Sequence, residues 1–277
     1  MSVPDFAYRR PATLAEALDL LASDPEARAL AGGQTLIPAL KQRMSRPAIL
    51  VDLRSISEMR GIDVTPERVS IGAMTPHVAT ATDPRIRAAI PALSAMASHI
   101  SHPQVRNLGT MGGSISNNDP AADYPAVLLG LGAEIETTRR RIPAGEFFLG
   151  LFTTALEPGE LVLRIHFPRP ENCGYIKFAN PASGYVTAGA FVARGPAGIR
   201  VAINGAGPVV FRFSEAEARL SGDFSTAALD GLTLSAAGLN SDIHASAAYR
   251  AQLAVVGTRR ALAIALAELP EQIKESA

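Results

Sequence analysis

The 277-residue chain carries 26 Lys plus Arg and 26 Asp plus Glu, so its formal net charge is zero. That balance argues against a nucleic-acid binder, which ordinarily presents a basic face or stripe. The single cysteine, Cys173, excludes a disulfide framework and any iron–sulfur cluster held by this chain alone, since such clusters need about four thiolates.

At roughly 100–200 residues per domain, the length suggests two domains, or one with a sizeable appendage. The longest apolar runs, at 126–131 and 261–269, fall short of the roughly 18–20 residues that span a bilayer. Met1-Ser2-Val3-Pro4-Asp5-Phe6 lacks a basic stretch followed by an apolar one, so no secretory signal is expected and a soluble cytoplasmic protein is.

Residues 6–9 read as a short strand. Thr13-Leu14-Ala15-Glu16 has capping-box form, and Leu14, Ala17, Leu18 and Leu21 then repeat at helical spacing until Asp24-Pro25 stops the helix. Ala29-Leu30-Ala31 is an apolar run ending in Gly32-Gly33, followed by a short helix over 36–44 and a strand over 49–53. The first 55 residues are thus a compact α/β unit. Residues 60–64 and 68–73 alternate around Thr65-Pro66-Glu67, as a hairpin does. Short helices are expected at 84–89 and 91–99, a polar Gly- and Asn-rich loop over 101–123, and a helix at 124–131. Strands at 133–138 and 160–167 lead to Pro168-Arg169-Pro170-Glu171-Asn172, the best linker in the chain. Beyond it, 174–178, 185–194 and 198–204 suggest three strands, and 214–220, 225–237 and 245–266 suggest helices.

Two stretches carry chemistry. In Ala31-Gly32-Gly33-Gln34-Thr35-Leu36, between a strand and a helix, paired glycines let backbone N–H groups approach a phosphate, and Gln34 and Thr35 add neutral donors. An ordinary tight turn is the alternative. The second stretch, residues 107–123, is dense in small residues, hydroxyls and amides; it is either a binding loop or a solvent loop. Neither is a Walker A sequence or a Gly-x-Gly-x-x-Gly. Two separated Gly-Gly turns, each with a hydroxyl close by, point to a diphosphate held by backbone amides without lysine clamps. The five histidines are scattered and offer no metal-ligand spacing, and no Ser-His-Asp constellation is apparent. Arg139-Arg140-Arg141 reads as a solvated face or a contact for a partner subunit.

With these motifs in view, the chain resembles the FAD-binding medium subunit of the molybdenum hydroxylases, in the xanthine dehydrogenase and carbon monoxide dehydrogenase group. The first motif is similar to that family's Ala-Gly-Gly-x-Ser/Thr flavin loop. Thr110-Met111-Gly112-Gly113-Ser114 is similar to its Thr-Ile-Gly-Gly-x loop, with Val105-Arg106-Asn107-Leu108-Gly109 before it and Asn117, Asp119-Pro120 and Asp123 after it. The resemblance covers essentially the whole chain.

It implies an α+β fold: a two-lobed FAD-binding domain of PCMH type over residues 1–168, with lobes of about 1–55 and 56–168. A C-terminal domain over 173–277 follows, with a three-stranded antiparallel sheet and a helical bundle. It assigns noncovalent FAD to Ala29, Leu30, Ala31, Gly32, Gly33, Gln34, Thr35 and Leu36 on the first motif. On the second it assigns Ile100, Val105, Gly109, Thr110, Gly112, Gly113, Ser114, Asn117, Ala122 and Asp123, and further along Val162, Lys177 and Tyr185. Backbone N–H groups of 31–36 and 109–114 would wrap the pyrophosphate and ribityl chain; Lys177 and Tyr185 would lie by the flavin ring. By residue type alone, Asp123 is an N-cap, Lys177 a strand-surface lysine, and Val162 and Tyr185 core. Where many relatives carry an Arg and an Asp, this chain has Asn180-Pro181-Ala182-Ser183-Gly184, which removes a salt bridge near the flavin and bears on how the ring edge is gated.

The resemblance further implies an oxidoreductase subunit that is inactive on organic substrate alone. Electrons would pass from the [2Fe–2S] clusters of a small partner subunit through FAD to a quinone, oxygen or NAD. A large partner subunit would hold the molybdopterin, in a dimer of heterotrimers located in the cytoplasm or peripherally at the inner membrane face. Two alternatives stay open: a self-sufficient flavin oxidoreductase of related fold, and a non-catalytic nucleotide-binding assembly module.

Overall fold

The computed structural model describes residues 3–196 and 198–267. The chain opens with β1 (Ala7–Arg9), α1 (Leu14–Ala22), β2 (Ala27–Leu30), α2 (Leu36–Lys41) and β3 (Ile49–Asp52). Thr13 Oγ1 accepts from the Glu16 N–H at 3.2 Å, as the capping-box spacing predicts, whereas the Glu16 carboxylate reaches one residue further back, to the Ala12 N–H. Both β1 and β2 pair with β3 in parallel, so hairpins cannot join them and the two helices carry the chain between strands.

The second lobe holds β4 (Ile62–Val64), β5 (Arg68–Gly72), α3 (His77–Thr82), α4 (Pro84–Ala89), α5 (Pro91–Ser98), α6 (Pro103–Leu108), α7 (Met111–Asn117), α8 (Tyr124–Leu131), β6 (Glu134–Thr137), β7 (Arg141–Pro143), α9 (Ala144–Phe147), β8 (Phe148–Gly150), β9 (Thr153–Thr154) and β10 (Val162–Pro168). Its antiparallel sheet runs β4-β5-β10-β6-β7, with Ile71, Ile135, Ile165 and Phe167 fully buried. The expected loop over 101–123 is largely two short helices. Pro103 starts α6 with a preset φ and no N–H to leave unpaired, and Thr110 caps α7 by accepting from the Gly113 N–H at 3.2 Å. Gly, Ser and Asn are poor helix formers, so composition hides α7; burial of Met111 and Ile115 supplies what propensity lacks.

The last part comprises β11 (Asn172–Ala179), β12 (Val186–Gly195), β13 (Gly198–Asn204), β14 (Phe211–Arg212), α10 (Ser214–Gly222) and α11 (Ala247–Ala265). The sheet has a fourth, two-residue strand, β14, beyond the three expected. The helix expected over 225–237 is absent. One 3-10 turn at Ala227–Leu229 is followed by Gly231 and then Gly238, both at positive φ, which no right-handed helix tolerates. Among the described residues, two helices and this irregular stretch therefore stand where the bundle is expected. Residues 268–277 of the expected C-terminal domain lie outside the described residues.

Alternation along β12 ties the layers together. Ala188, Ala190 and Val192 pack in one cluster with Ala254 and Leu262 of α11; Phe191 and Ala193 face the larger core that includes α8. At the start of β12, the Val186 N–H donates to Ala121 O at 3.1 Å, which holds the strand against the end of the second motif.

Candidate functional site

The two glycine motifs meet. A Cβ on Gly32 would overlap the Leu108 carbonyl oxygen and lie 2.6 Å from Gly109 Cα, and one on Gly113 would sit 3.2 Å from Ala31 Cβ. Segments about eighty residues apart thus touch through bare backbone, and together they wall a cleft of about 560 Å³. The first motif lines it with Ala29, Ala31, Gly32, Gly33, Gln34, Thr35 and Leu36. The second adds Ile100, Val105, Gly109, Thr110, Gly112, Gly113, Ser114, Asn117, Ala122 and Asp123, and Val162 and Tyr185 line it as well. Two of the expected residues lie elsewhere. Leu30 is buried with Leu40 and Leu50 beneath the first motif, and Lys177 reaches the cleft only through Asp123.

The motifs contribute differently from the expectation. In the second, the N–H groups of Gly109, Met111, Gly112, Gly113 and Ser114 already donate within the chain, to Val105 O, Thr75 O, Ala73 O, Thr110 Oγ1 and Thr110 O. It therefore offers glycine faces and hydroxyls more than free amides. In the first, Gly33 takes the left-handed conformation (φ +70°) and Thr35, at the start of α2, makes no capping bond of its own. Arg28 is the one cationic side chain lining the cleft among the described residues. Glycine backbone and hydroxyls line this cleft together with the apolar Leu156, Leu161 and Val162, a mixture that suits a dinucleotide with a diphosphate and an apolar ring system, so the residues present fit FAD.

Asp123 precedes α8 but caps nothing. Its carboxylate, 6% exposed, accepts from Tyr175 Oη at 2.9 Å and from Lys177 Nζ at 3.1 Å, and Lys177 Nζ also donates to His99 O at 3.1 Å. The strand-surface and N-cap readings of these two residues are thereby replaced by a buried ion pair. Burial pushes the Asp123 carboxyl up, and Lys177 and Tyr175 oppose it. Glu160 shows the reverse outcome. Burial raises its carboxyl, but donors from the Glu157 N–H, Thr137 and Arg140 outweigh that and hold it low. The Arg139-Arg140-Arg141 run is thus not free charge, since each member meets a glutamate.

His77, on α3, was missed by sequence reasoning and lines the same cleft. Its Nδ1 lies 3.1 Å from Tyr124 Oη, and Gly109 is bare where a Cβ would meet the His77 ring 2.7 Å away. Burial, assisted by Arg106, drops its pKa from 6.5 to about 4, so the ring is neutral. The unfolded ring takes up its proton first as pH falls, so the stability that His77 contributes is complete above about pH 6.5 and lost towards pH 4. His77→Gln is expected to flatten the fall of Tm across that window; parallel Tm–pH curves for the two proteins would contradict this.

Tyr185 lies just before β12 at the cleft rim, 51% exposed rather than buried in a strand. The neighbouring loop closes on itself: Asn180 Oδ1 accepts from the Ala182 and Ser183 N–H groups, and Gly184 N–H donates to Asn180 O. A turn thus stands at residues 180–184, where the resemblance implies the loss of a salt bridge. The sequence also concealed a Ser70–His166–Glu136 chain across β5, β10 and β6, with bonds of 2.8 and 2.7 Å. Ser70 is buried and lines neither the cleft nor a second cavity beside it, so the chain pins the sheet and presents no nucleophile.

The FAD binding domain in molybdopterin dehydrogenase matches residues 4–170. The nicotine 6-hydroxylase medium subunit of Paenarthrobacter nicotinovorans is 33% identical over 90% of this chain and 93% of its own length. The carbon monoxide dehydrogenase medium chain of Hydrogenophaga pseudoflava is 34% identical over 95% and 97%. A structure of carbon monoxide dehydrogenase from that organism superposes with a TM-score of 0.88 over 98% of this chain and 100% of its own, at 34% identity. Quinoline 2-oxidoreductase from Pseudomonas putida 86 does so at 0.87, over 97% and 99%, also at 34% identity. With the domain match covering more than half of the chain and full-length relatives above 30% identity, the protein belongs to the family of FAD-binding medium subunits of the molybdenum hydroxylases.

Proposed function

We propose that this chain binds one FAD noncovalently between its two glycine motifs and relays electrons within a multi-subunit molybdenum hydroxylase. The observation that carries the reading is the contact of Gly32 with Leu108 and Gly109, which turns two distant motifs into one wall. When bound, FAD supplies the redox chemistry, and the protein fixes its position and surroundings. Ala29, Ala31 and residues 32–36 would hold the polar middle of the cofactor, Val162 and Ile100 would exclude water from its ring, and the Asp123–Lys177 pair would set the charge beside it.

Cys173 alone cannot hold a cluster. By the resemblance to the molybdenum hydroxylases, two [2Fe–2S] clusters belong to a small partner and molybdopterin to a large one, assembled as a dimer of heterotrimers. The FAD domain comprises residues 1–168 and the remainder, from 173, forms a second domain. Among the described residues no helix is long and apolar enough to cross a membrane, which is compatible with a cytoplasmic complex or one held at the inner membrane face.

The purified chain is expected to be yellow, to release FAD on denaturation, and to turn over no substrate until its partners are added. Saturating FAD at about a hundredfold over Kd adds about 2.7 kcal/mol of stability. A melting shift with ADP but none with FAD would favour the assembly-module reading, and substrate turnover by the isolated chain would favour the self-sufficient oxidoreductase.

A further inference from the structure

Four consecutive residues at the end of the second motif are held by the C-terminal sheet. Pro120 O accepts from the Gly205 N–H at 2.9 Å, Ala121 O from the Val186 N–H at 3.1 Å, and Ala122 O from Asn204 Nδ2 at 2.7 Å. Asp123 Oδ1 accepts from Tyr175 Oη at 2.9 Å. Ala122 and Asp123 line the FAD cleft, so its wall here takes its position from β11 and from the adjoining ends of β12 and β13.

One side chain that lines no part of the cleft draws those ends together. Arg250 of α11 is 5% exposed, and its Nη1 donates to Thr187 O at 2.5 Å and to Gly205 O at 2.9 Å. Two carbonyl oxygens that converge on one point repel each other, and a cation between them reverses the sign. The turn has no slack, since Gly205 stands at φ +76° and a Cβ there would lie 2.7 Å from Val186 O. Arg250 Nη2 donates to Asp242 Oδ2 at 2.6 Å, and Asp242 Oδ1 accepts from the His244 and Ala245 N–H groups, which fixes the anion. A planar guanidinium has the donors for both duties at once. Apolar replacement of a buried ion pair is often neutral for stability, so stability alone does not account for a buried arginine here. We propose that Arg250 is a positioning residue for the cofactor: it ties Thr187 to Gly205, and through the bonds to residues 120–123 it sets where Ala122 and Asp123 meet the flavin. The inference rests on the FAD reading above. It gives α11, which lines none of the cleft, a share in FAD affinity.

The test is FAD titration of the full chain, alone and assembled with its partners, well below the Tm of every variant. Arg250→Met is expected to weaken FAD about tenfold and to shift the visible bands of the flavin that still binds. Arg250→Lys keeps a cation for the two carbonyls and should recover part of both. Arg259→Met is the control on the same helix. Arg259 donates to Leu229 O and pairs with Asp230, neither of which lines the cleft, so its loss should lower Tm and leave FAD affinity and spectrum unchanged. Should Arg250→Met not fold, Asp242→Asn keeps the arginine and weakens only its anchor, and about a threefold loss of affinity is expected. Unchanged affinity and spectrum in Arg250→Met, or in Asp242→Asn where the first does not fold, overturns the inference and leaves the FAD reading standing. An equal loss in Arg259→Met overturns it too, because general loosening would then explain both. Unmodified protein that takes up no FAD in either form overturns this inference and the reading beneath it together.

Discussion

Gly32→Ala is expected to abolish FAD retention and lower Tm. The added methyl would overlap the Leu108 carbonyl oxygen and press on Gly109 Cα at 2.6 Å, and both are backbone atoms that cannot rotate away. The two motifs must separate, at about the 1–3 kcal/mol typical of forced overpacking. Because the same contact makes the cleft wall, affinity should fall at least about a hundredfold, close to 2.7 kcal/mol. Gly33→Ala should act through a different cause, since Gly33 sits at φ +70° and a side chain there costs about 1–2 kcal/mol. Gly150→Ala, where a Cβ meets nothing within 4 Å, is the control and should stay within about 0.5 kcal/mol of the unmodified protein. Wild-type FAD affinity in Gly32→Ala would contradict the shared wall.

Lys177→Met is expected to be the most destabilising change near the cleft. Lys177 and Asp123 are both almost wholly buried, and removing one partner leaves the other charge in a medium that cannot solvate it, at about 3–5 kcal/mol. The sign with pH follows from Asp123. Burial already holds its folded pKa above the unfolded value, and loss of Lys177 raises it further. A carboxyl raised on folding stabilises below its unfolded pKa and loses that contribution as pH climbs through the folded one. The deficit of Lys177→Met should therefore be smallest in acid, where Asp123 is protonated in both states, and largest near neutrality. Adding Asp123→Asn to Lys177→Met should restore part of the loss, because a neutral amide is cheaper to bury than an unpaired carboxylate. A deficit that is constant with pH would show that packing of the lysine stem, and not its charge, is what matters.

The glycine motifs were legible in the sequence because close backbone approach excludes every side chain, and that requirement leaves a mark at the position itself. The helix over Tyr124–Leu131 was legible for a similar local reason, an apolar run with a proline at its start and Gly132 at its end. What escaped depends on distant partners. Asp123 reads as an N-cap until Tyr175 and Lys177, more than fifty residues away, claim its carboxylate. His77 carries no motif, and only the packing of α3 against Gly109 brings it to the cleft. The helix α7 was concealed by its own small residues, and the stretch after Ser225 looked helical because its apolar spacing outweighed the breaker at Gly231. Lys177 reads as a strand-surface lysine by residue type, while its proximity to the cleft runs through a carboxylate that residue type alone could not pair with it.

The most direct measurement is hydrogen–deuterium exchange on the purified chain with and without saturating FAD. The account predicts that exchange slows together over residues 29–36 and 109–117, with one FAD bound per chain. Protection of one segment with the other unchanged, at full FAD occupancy, would contradict it.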